Sequence, residues 1–201
     1  MKSTQLILLV LLGAQTALAT EEAAYRVVRQ DGAIEVRAYE PQLLAEVLID
    51  GTLEEAGNRA FGLLFSYISG NNTSQQKIAM TAPVSQAKAG EKIAMTSPVS
   101  QEKAGEKWRV GFMMPAALTL ETIPRPNDPR VTIRQKPVHR MATIRYRGFW
   151  SEANYRTHLQ ELEAWMKDQK IAAIGEPVWA RYNPPFTPWF LRRNEILIPV
   201  E

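Results

Sequence analysis

Two strand-like apolar runs, Leu43 to Ile49 and Ala142 to Tyr146, each end just before a glycine, Gly51 or Gly148. After each glycine the apolar period changes from that of a strand to that of a helix. The first helix is predicted from Thr52 to about Ile68, with Ala56, Ala60, Leu63, Leu64, Tyr67 and Ile68 at helical spacing. Thr52 reads as its N-cap, Glu55 completes a capping box, and Gly70 stands near its stop. The second helix begins at Ser151 and carries Tyr155, Leu159, Leu162 and Met166 as one stripe. Gly51, Glu55, Ala56 and Arg59 recur as Gly148, Glu152, Ala153 and Arg156. Each half therefore reads strand, helix, further strands. The order predicts an α+β domain built from two pseudo-symmetric halves.

A closer repeat lies between those halves. Residues 77–91, KIAMTAPVSQAKAGE, return at 92–106 as KIAMTSPVSQEKAGE. Each copy pairs a short β-compatible run with a polar turn, and the next run starts at Lys107 and Trp108, which predicts a β-meander. Alternation puts Ile78, Met80 and Ala82 on one side of the first run. Pro83 and Pro98 belong at strand ends or edges, because proline cannot donate to a ladder. At least one copy is expected to be exposed and poorly paired. Met80, Met95, Met113 and Met114 read as core fillers.

Residues 1–19 carry Lys2, an apolar run from Leu6 to Leu12, and the small-residue site Ala17-Leu18-Ala19. These are the parts of a cleaved export signal, and the run is too short for a stable membrane anchor. The expected product is residues 20–201, one domain, periplasmic or secreted. With no cysteine, disulfides, thiolate metal sites and a cysteine nucleophile are excluded. The formal charge of +3 is no nucleic-acid footprint. Arginines do gather at Arg140, Arg145 and Arg147 and again at Arg192 and Arg193, a pattern that suits either solvated surface or a carboxylate-meeting rim. Phosphate loops, G-x-S-x-G and H-E-x-x-H are absent from the sequence.

The densest chemistry lies in Tyr182-Asn-Pro-Pro-Phe-Thr-Pro-Trp-Phe-Leu-Arg-Arg-Asn-Glu195. Pro184, Pro185 and Pro188 hold it extended and rule out a helix. Phe186, Trp189 and Phe190 need an apolar partner: either the sheet that the segment closes, or a ligand. The segment is similar to the C-terminal signature of the SOUL haem-binding family. Lys77 to Val84 and Val110 to Pro115 resemble that family's central motifs, in the same order. The resemblance implies a twisted, barrel-like antiparallel sheet flanked by two helices, a fold shared with small-molecule-binding regulator domains. It further implies haem or a related tetrapyrrole as ligand, with the protein acting as carrier, buffer or scavenger.

On that reading Phe186, Trp189 and Phe190 line a cleft, and Arg192 or Arg193 reaches the ligand's acidic groups. His158 on the second helix and His139 at the start of a strand are the candidates for iron ligation, although each is also an ordinary half-buried histidine. The family supplies no iron ligand at a matching position. Glu195 reads as a surface salt bridge or as a pocket-facing acid with a raised pKa. The second option keeps two alternatives open: a module for amphipathic or cationic small molecules, and an enzyme using Glu195 as acid or base.

Overall fold

A computed structural model describes residues 20–75 and 90–201. The expected export signal and most of the first copy of the repeat, with Ile78, Met80, Ala82 and Pro83, lie outside them.

The described elements run β1 (Tyr25–Asp31), β2 (Ile34–Tyr39), β3 (Gln42–Ile49), α1 (Leu53–Ile68), β4 (Asn72–Thr73), β5 (Val99–Ala104), β6 (Lys107–Met113) and β7 (Arg125–Pro126). After these come β8 (Thr132–Lys136), β9 (His139–Arg147), α2 (Glu152–Asp168), β10 (Val178–Arg181), a 3-10 turn (Trp189–Leu191) and β11 (Arg193–Val200). Both helices start where the sequence places them. Thr52 caps α1 with the reciprocal Glu55 bond, and Ser151 caps α2 through the Asn154 N–H.

Nine strands form one curled antiparallel sheet in the order β1-β2-β9-β11-β10-β5-β6-β3-β8. The order is symmetric about the β10–β5 pair once β1 is set aside. Strand β3 corresponds to β9, α1 to α2, β5 to β10, β6 to β11, and β8 to β2. The glycines that end the matching strands share an unusual backbone, with φ of 122° at Gly51 and 127° at Gly148. A side chain is strained there, so glycine is required in both halves. The match is not residue for residue, because Glu55 is the third residue of α1 whereas Glu152 is the first of α2.

Both helices lie on one face of the sheet. Helix α1 packs on β3 and β6 through Ala56, Ala60, Leu64 and Tyr67, and α2 packs on β9 and β11 through Leu162 and Met166. Period-two alternation sends the intervening strand residues to the opposite, inner face. There Tyr39, Met141, Val178, Ala180 and Leu197 form a smaller apolar cluster among charged neighbours.

The second repeat copy departs from its pattern. The hairpin turn at Gly105 and the strand from Lys107 are as expected, but β5 begins only at Val99, after Pro98. Residues 92–96 instead cover the end of α1: Ile93 is buried and donates its N–H to the Ile68 carbonyl. Met113 and Met114 are buried as core fillers, whereas Met95 is 42% exposed.

Candidate functional site

The inner face carries two clusters of arginine-bound carboxylates, one centred on Glu195 and one on Glu46. Glu195 on β11 is fully buried and takes both of its oxygens into hydrogen bonds. Arg37 donates Nη1 to Oε2 at 2.7 Å and Nη2 to Oε1 at 3.2 Å. The Tyr182 hydroxyl donates to Oε2 at 2.7 Å, and Nε of both Arg145 and Arg193 donates to Oε1 at 3.0 Å. Burial pushes this carboxyl up, and the hydrogen bonds and charge of Arg37, with Arg193 and Tyr182, more than offset it. The net pKa is lowered. This corrects both readings of Glu195: it is neither a surface salt bridge nor an acid with a raised pKa. Held ionised, with every partner donating, it has no proton to give near neutral pH.

The other carboxylate is Glu46 on β3. Arg134 grips it in a fork, Nε to Oε2 at 2.8 Å and Nη2 to Oε1 at 2.6 Å, and Arg109 stands 3.6 Å away. Arg109 also binds Glu102 at 2.7 Å. Glu46 and Glu102, with Tyr39, Lys136, His139 and Tyr182, line a cavity of about 60 Å³ on this face. Glu195 does not reach it. Sites for small organic ligands run to about 300–1,000 Å³, so this hollow suits a few waters and no macrocycle.

The Pro-rich segment is not extended as expected: it folds through tight turns and a 3-10 turn at Trp189–Leu191, because the φ that proline fixes also suits a turn. Thr187, Leu191 and Arg192 donate backbone N–H groups within tight turns, to Pro184, Pro188 and Trp189. Arg192 then turns its guanidinium inward, donating Nε to the Thr187 carbonyl at 2.8 Å and Nη2 to the Pro185 carbonyl at 2.7 Å. Its centre lies 4.4 Å over the Trp150 ring. Arg193 is committed to Glu195 and Glu22, with its centre 3.7 Å over Tyr182. Both arginines therefore brace the protein.

Braced this way, the loop presents its aromatics outward. Trp189 is 49%, Phe190 54% and Phe186 86% exposed. Trp189 stacks on Phe149 at 4.9 Å and 15°, and meets Phe190 edge-on at 5.7 Å. So many exposed large apolar side chains in one place mark a contact surface. Beside it Arg147, in register with Arg193, is exposed and has no ion pair among the described residues.

The two histidines lie elsewhere. His139 starts the nine-residue strand whose far end, about 26 Å away, leads to Phe149. Its ring stacks on Tyr39 at 5.3 Å and its Nδ1 meets the Pro137 carbonyl at 2.7 Å. Burial, then the charge of Lys136, push its pKa down to about 4. His158 stacks on Tyr146 at 4.1 Å, on the helix-packed face, with Glu161 3.2 Å from Nδ1. The structure thus joins Trp189 and Phe190 to Phe149, leaves Phe186 on the same loop without a ring partner among the described residues, sets Arg192 behind that loop, and separates all of them from His139. Glu195 belongs to an ion cluster of its own.

Sequence reasoning missed Arg37, Glu46 and Arg134, whose partners are remote in the chain. Period-two alternation within β2 and β3 was the available signal, since it sets each charge on the face opposite its apolar neighbours. The residues at the aromatic surface fit a flat, apolar, acid-bearing group such as haem: stacking rings, a free cation at the rim, and no histidine among them.

Mouse heme-binding protein 1 (Mus musculus) is 27% identical over 170 residues, 84% of this chain and 84% of that protein. Among solved structures, the EcmrR C-terminal domain superposes with a TM-score of 0.53 at 12% identity, covering 88% of this chain and 98% of the domain. A hydrolase from Listeria innocua gives 0.54 at 11% identity, covering 87% and 94%. At such low identity the two structures show a shared fold alone. The SOUL heme-binding protein family matches residues 20–199, which takes in both halves of the sheet and the whole Pro-rich segment, and the chain belongs to that family.

Proposed function

We propose that this protein binds haem or a related tetrapyrrole, as a carrier, buffer or scavenger in the cell envelope. The observation that carries the reading is the exposed aromatic surface of Phe149, Trp189 and Phe190, fixed from behind by Arg192. A rigid, ready-made surface loses little conformational entropy when a flat ligand stacks on it. Haem, when bound, supplies the macrocycle and its iron; the chain supplies stacking faces, exclusion of water and a cation, Arg147, for an acidic group. Because neither histidine lies in this surface, the reading is of apolar capture without an axial histidine. Membership in a haem-binding family and the likeness to mouse heme-binding protein 1 support it.

The test is titration of residues 20–201 with hemin and with a metal-free porphyrin. Both are expected to bind. Trp189→Ala weakens each by about 1–3 kcal/mol, the worth of a buried aromatic, and leaves the melting temperature of the ligand-free protein nearly unchanged. Unchanged binding with a lowered melting temperature means that the segment serves only to close the sheet. His139→Phe and His158→Phe are expected to leave the Soret band in place. N-terminal sequencing of exported protein tests the envelope location, with Thr20 as the expected first residue.

A second reading rests on a groove of about 450 Å³ floored by Leu43, Met113, Met114 and Leu118. Glu21, Glu40 and Glu121 stand at its edge, and none of its lining residues is lysine or arginine. That chemistry favours an amphipathic cation. A cationic dye serves as the third titrant, and competition with hemin shows whether the two share a site.

A further inference from the structure

Arg181 ends β10 on the helix-packed face, at the seam where the two halves meet. Across the ladder it neighbours Asn194 on β11, which neighbours Tyr146 on β9. Its guanidinium donates Nη2 to Gln101 Oε1 at 3.2 Å and lies 5.1 Å from the Trp179 ring and 5.6 Å from the Trp150 ring. Helix α1 makes room for it at Gly57, where a Cβ would stand 2.6 Å from Nη2. This is a built position for a cation, and its counter-ion is missing. No carboxylate among the described residues pairs with it. Residues 1–19 and 76–89 contain no Asp or Glu, so the chain has no other carboxylate side chain to give. Burial pushes the Arg181 pKa down to about 10, opposed by the Tyr146 phenol. It stays charged at neutral pH, and an unpaired charge in such a place is costly.

The atoms around it are unsatisfied as well, three of them able to donate and one, Asn194 Oδ1, an acceptor. Nε1 of Trp150, Nε1 of Trp179, the Tyr146 hydroxyl and Asn194 Oδ1 are buried without hydrogen-bond partners. Trp179 is only 1% exposed, and although its indole N–H lies near the Tyr146 hydroxyl, neither atom completes a hydrogen bond. Two indole N–H groups and a phenol beside a guanidinium form a set of donors that asks for an acceptor. Water can satisfy the donors but leaves the charge unneutralised.

We propose that Arg181, with the indole N–H groups of Trp150 and Trp179 and the Tyr146 hydroxyl, is a carboxylate-binding site serving the ligand of the aromatic surface. Trp150 links the two. Its ring lies between Arg181 and Arg192, and its chain neighbour Phe149 stacks on Trp189. The ligand's identity rests on the tetrapyrrole reading; the anion site does not.

Two measurements separate these claims. The first uses quenching of tryptophan fluorescence by 1-naphthoate and by neutral 1-naphthylmethanol. Wild type is expected to prefer the acid, and Arg181→Gln to bind it about tenfold more weakly with the alcohol unaffected, as expected for losing a charge-assisted pair. Equal binding of the acid by both proteins, or no binding by wild type, overturns the site. Arg181→Gln removes a half-buried charge that has no carboxylate partner among the described residues, so its melting temperature is expected to hold or rise; a marked fall indicates a structural arginine and also overturns the site. Trp150→Phe keeps the ring, loses one donor, and is expected to weaken naphthoate several-fold without a change in melting. The second measurement compares hemin with its dimethyl ester. A preference for the free acid that disappears in Arg181→Gln supports the link to the tetrapyrrole. A preference that persists places the ligand's acid elsewhere and overturns that link, whatever the naphthoate result.

Discussion

The two halves of the sheet each hold an arginine-bound glutamate on the inner face, yet they do so under opposite conditions. In one half Arg37 and Glu195 are 1% and 0% exposed, and both carboxylate oxygens are saturated by donors. In the other, Glu46 is itself buried, at 6%, but the cation that grips it, Arg134, is 39% exposed, and Arg109 stands by at the rim, so the two pairs differ in their cations. Closure follows from the elements that cover each site. The Glu195 cluster lies under Tyr182, Arg193 and Glu22 of the segment that leads into β1, whereas β8, the outermost strand of its half, leaves Arg134 partly in water. A sealed ion pair is expensive to break, because removing one partner strands a charge away from water. A pair whose cation stands at the rim is cheaper to break, because water and the neighbouring Arg109 can take that cation's place. The pseudo-symmetric backbone repeats; the electrostatics do not.

The largest expected effect follows directly. Arg37→Met leaves Glu195 without its forked partner and is expected to cost about 3–5 kcal/mol of stability in urea denaturation. Arg37→Met combined with Glu195→Leu is expected to recover most of that loss. If the single change costs less than about 1 kcal/mol, Arg145 and Arg193 suffice for Glu195, and the contrast between the halves breaks.

Acid unfolding gives an intermediate effect. The Glu195 carboxyl has a folded pKa below its unfolded value, so its contribution is present above about pH 4.3 and is lost as pH falls through the folded pKa. His139 behaves in the same direction for a different reason. Its folded pKa is pushed down to about 4 by burial and by Lys136, so the unfolded chain binds more protons between about pH 6.5 and 4, and stability declines across that window. His139→Phe keeps a ring against Tyr39 and is expected to flatten this limb of the stability profile while leaving the steeper loss below about pH 4. An unchanged profile between pH 6.5 and 4 removes His139 from the account.

The smallest effect belongs to the rim. Arg134→Ala is expected to cost under about 1 kcal/mol and to lose most of even that in high salt. A cost as large as that of Arg37→Met means that Glu46 is as sealed as Glu195.

What the chain shows directly is local in origin. Helix starts were legible because capping lies within one turn: Thr52 with Glu55, Ser151 with Asn154. The twofold echo was legible because Gly51 and Gly148 answer the same backbone demand. The aromatic surface was legible as a composition, since prolines and large rings stood together in one segment. The second repeat copy was misread over residues 92–96, because a short apolar run cannot distinguish a strand from a cover over a helix end, and the buried Ile93 does the latter.

Element types, the two halves and the family are legible along the chain, since propensity, capping and motif order are written in neighbouring residues. Which charges are paired is a property of the folded chain. Arg37 meets Glu195 from the other end of the chain, Arg192 folds back on its own loop, and Arg181 reaches the seam between the halves with an amide oxygen, Gln101 Oε1, but no carboxylate among the described residues. A guanidinium's role depends on what surrounds it in space and on how much water is left there, and neither quantity is carried by its position in the sequence.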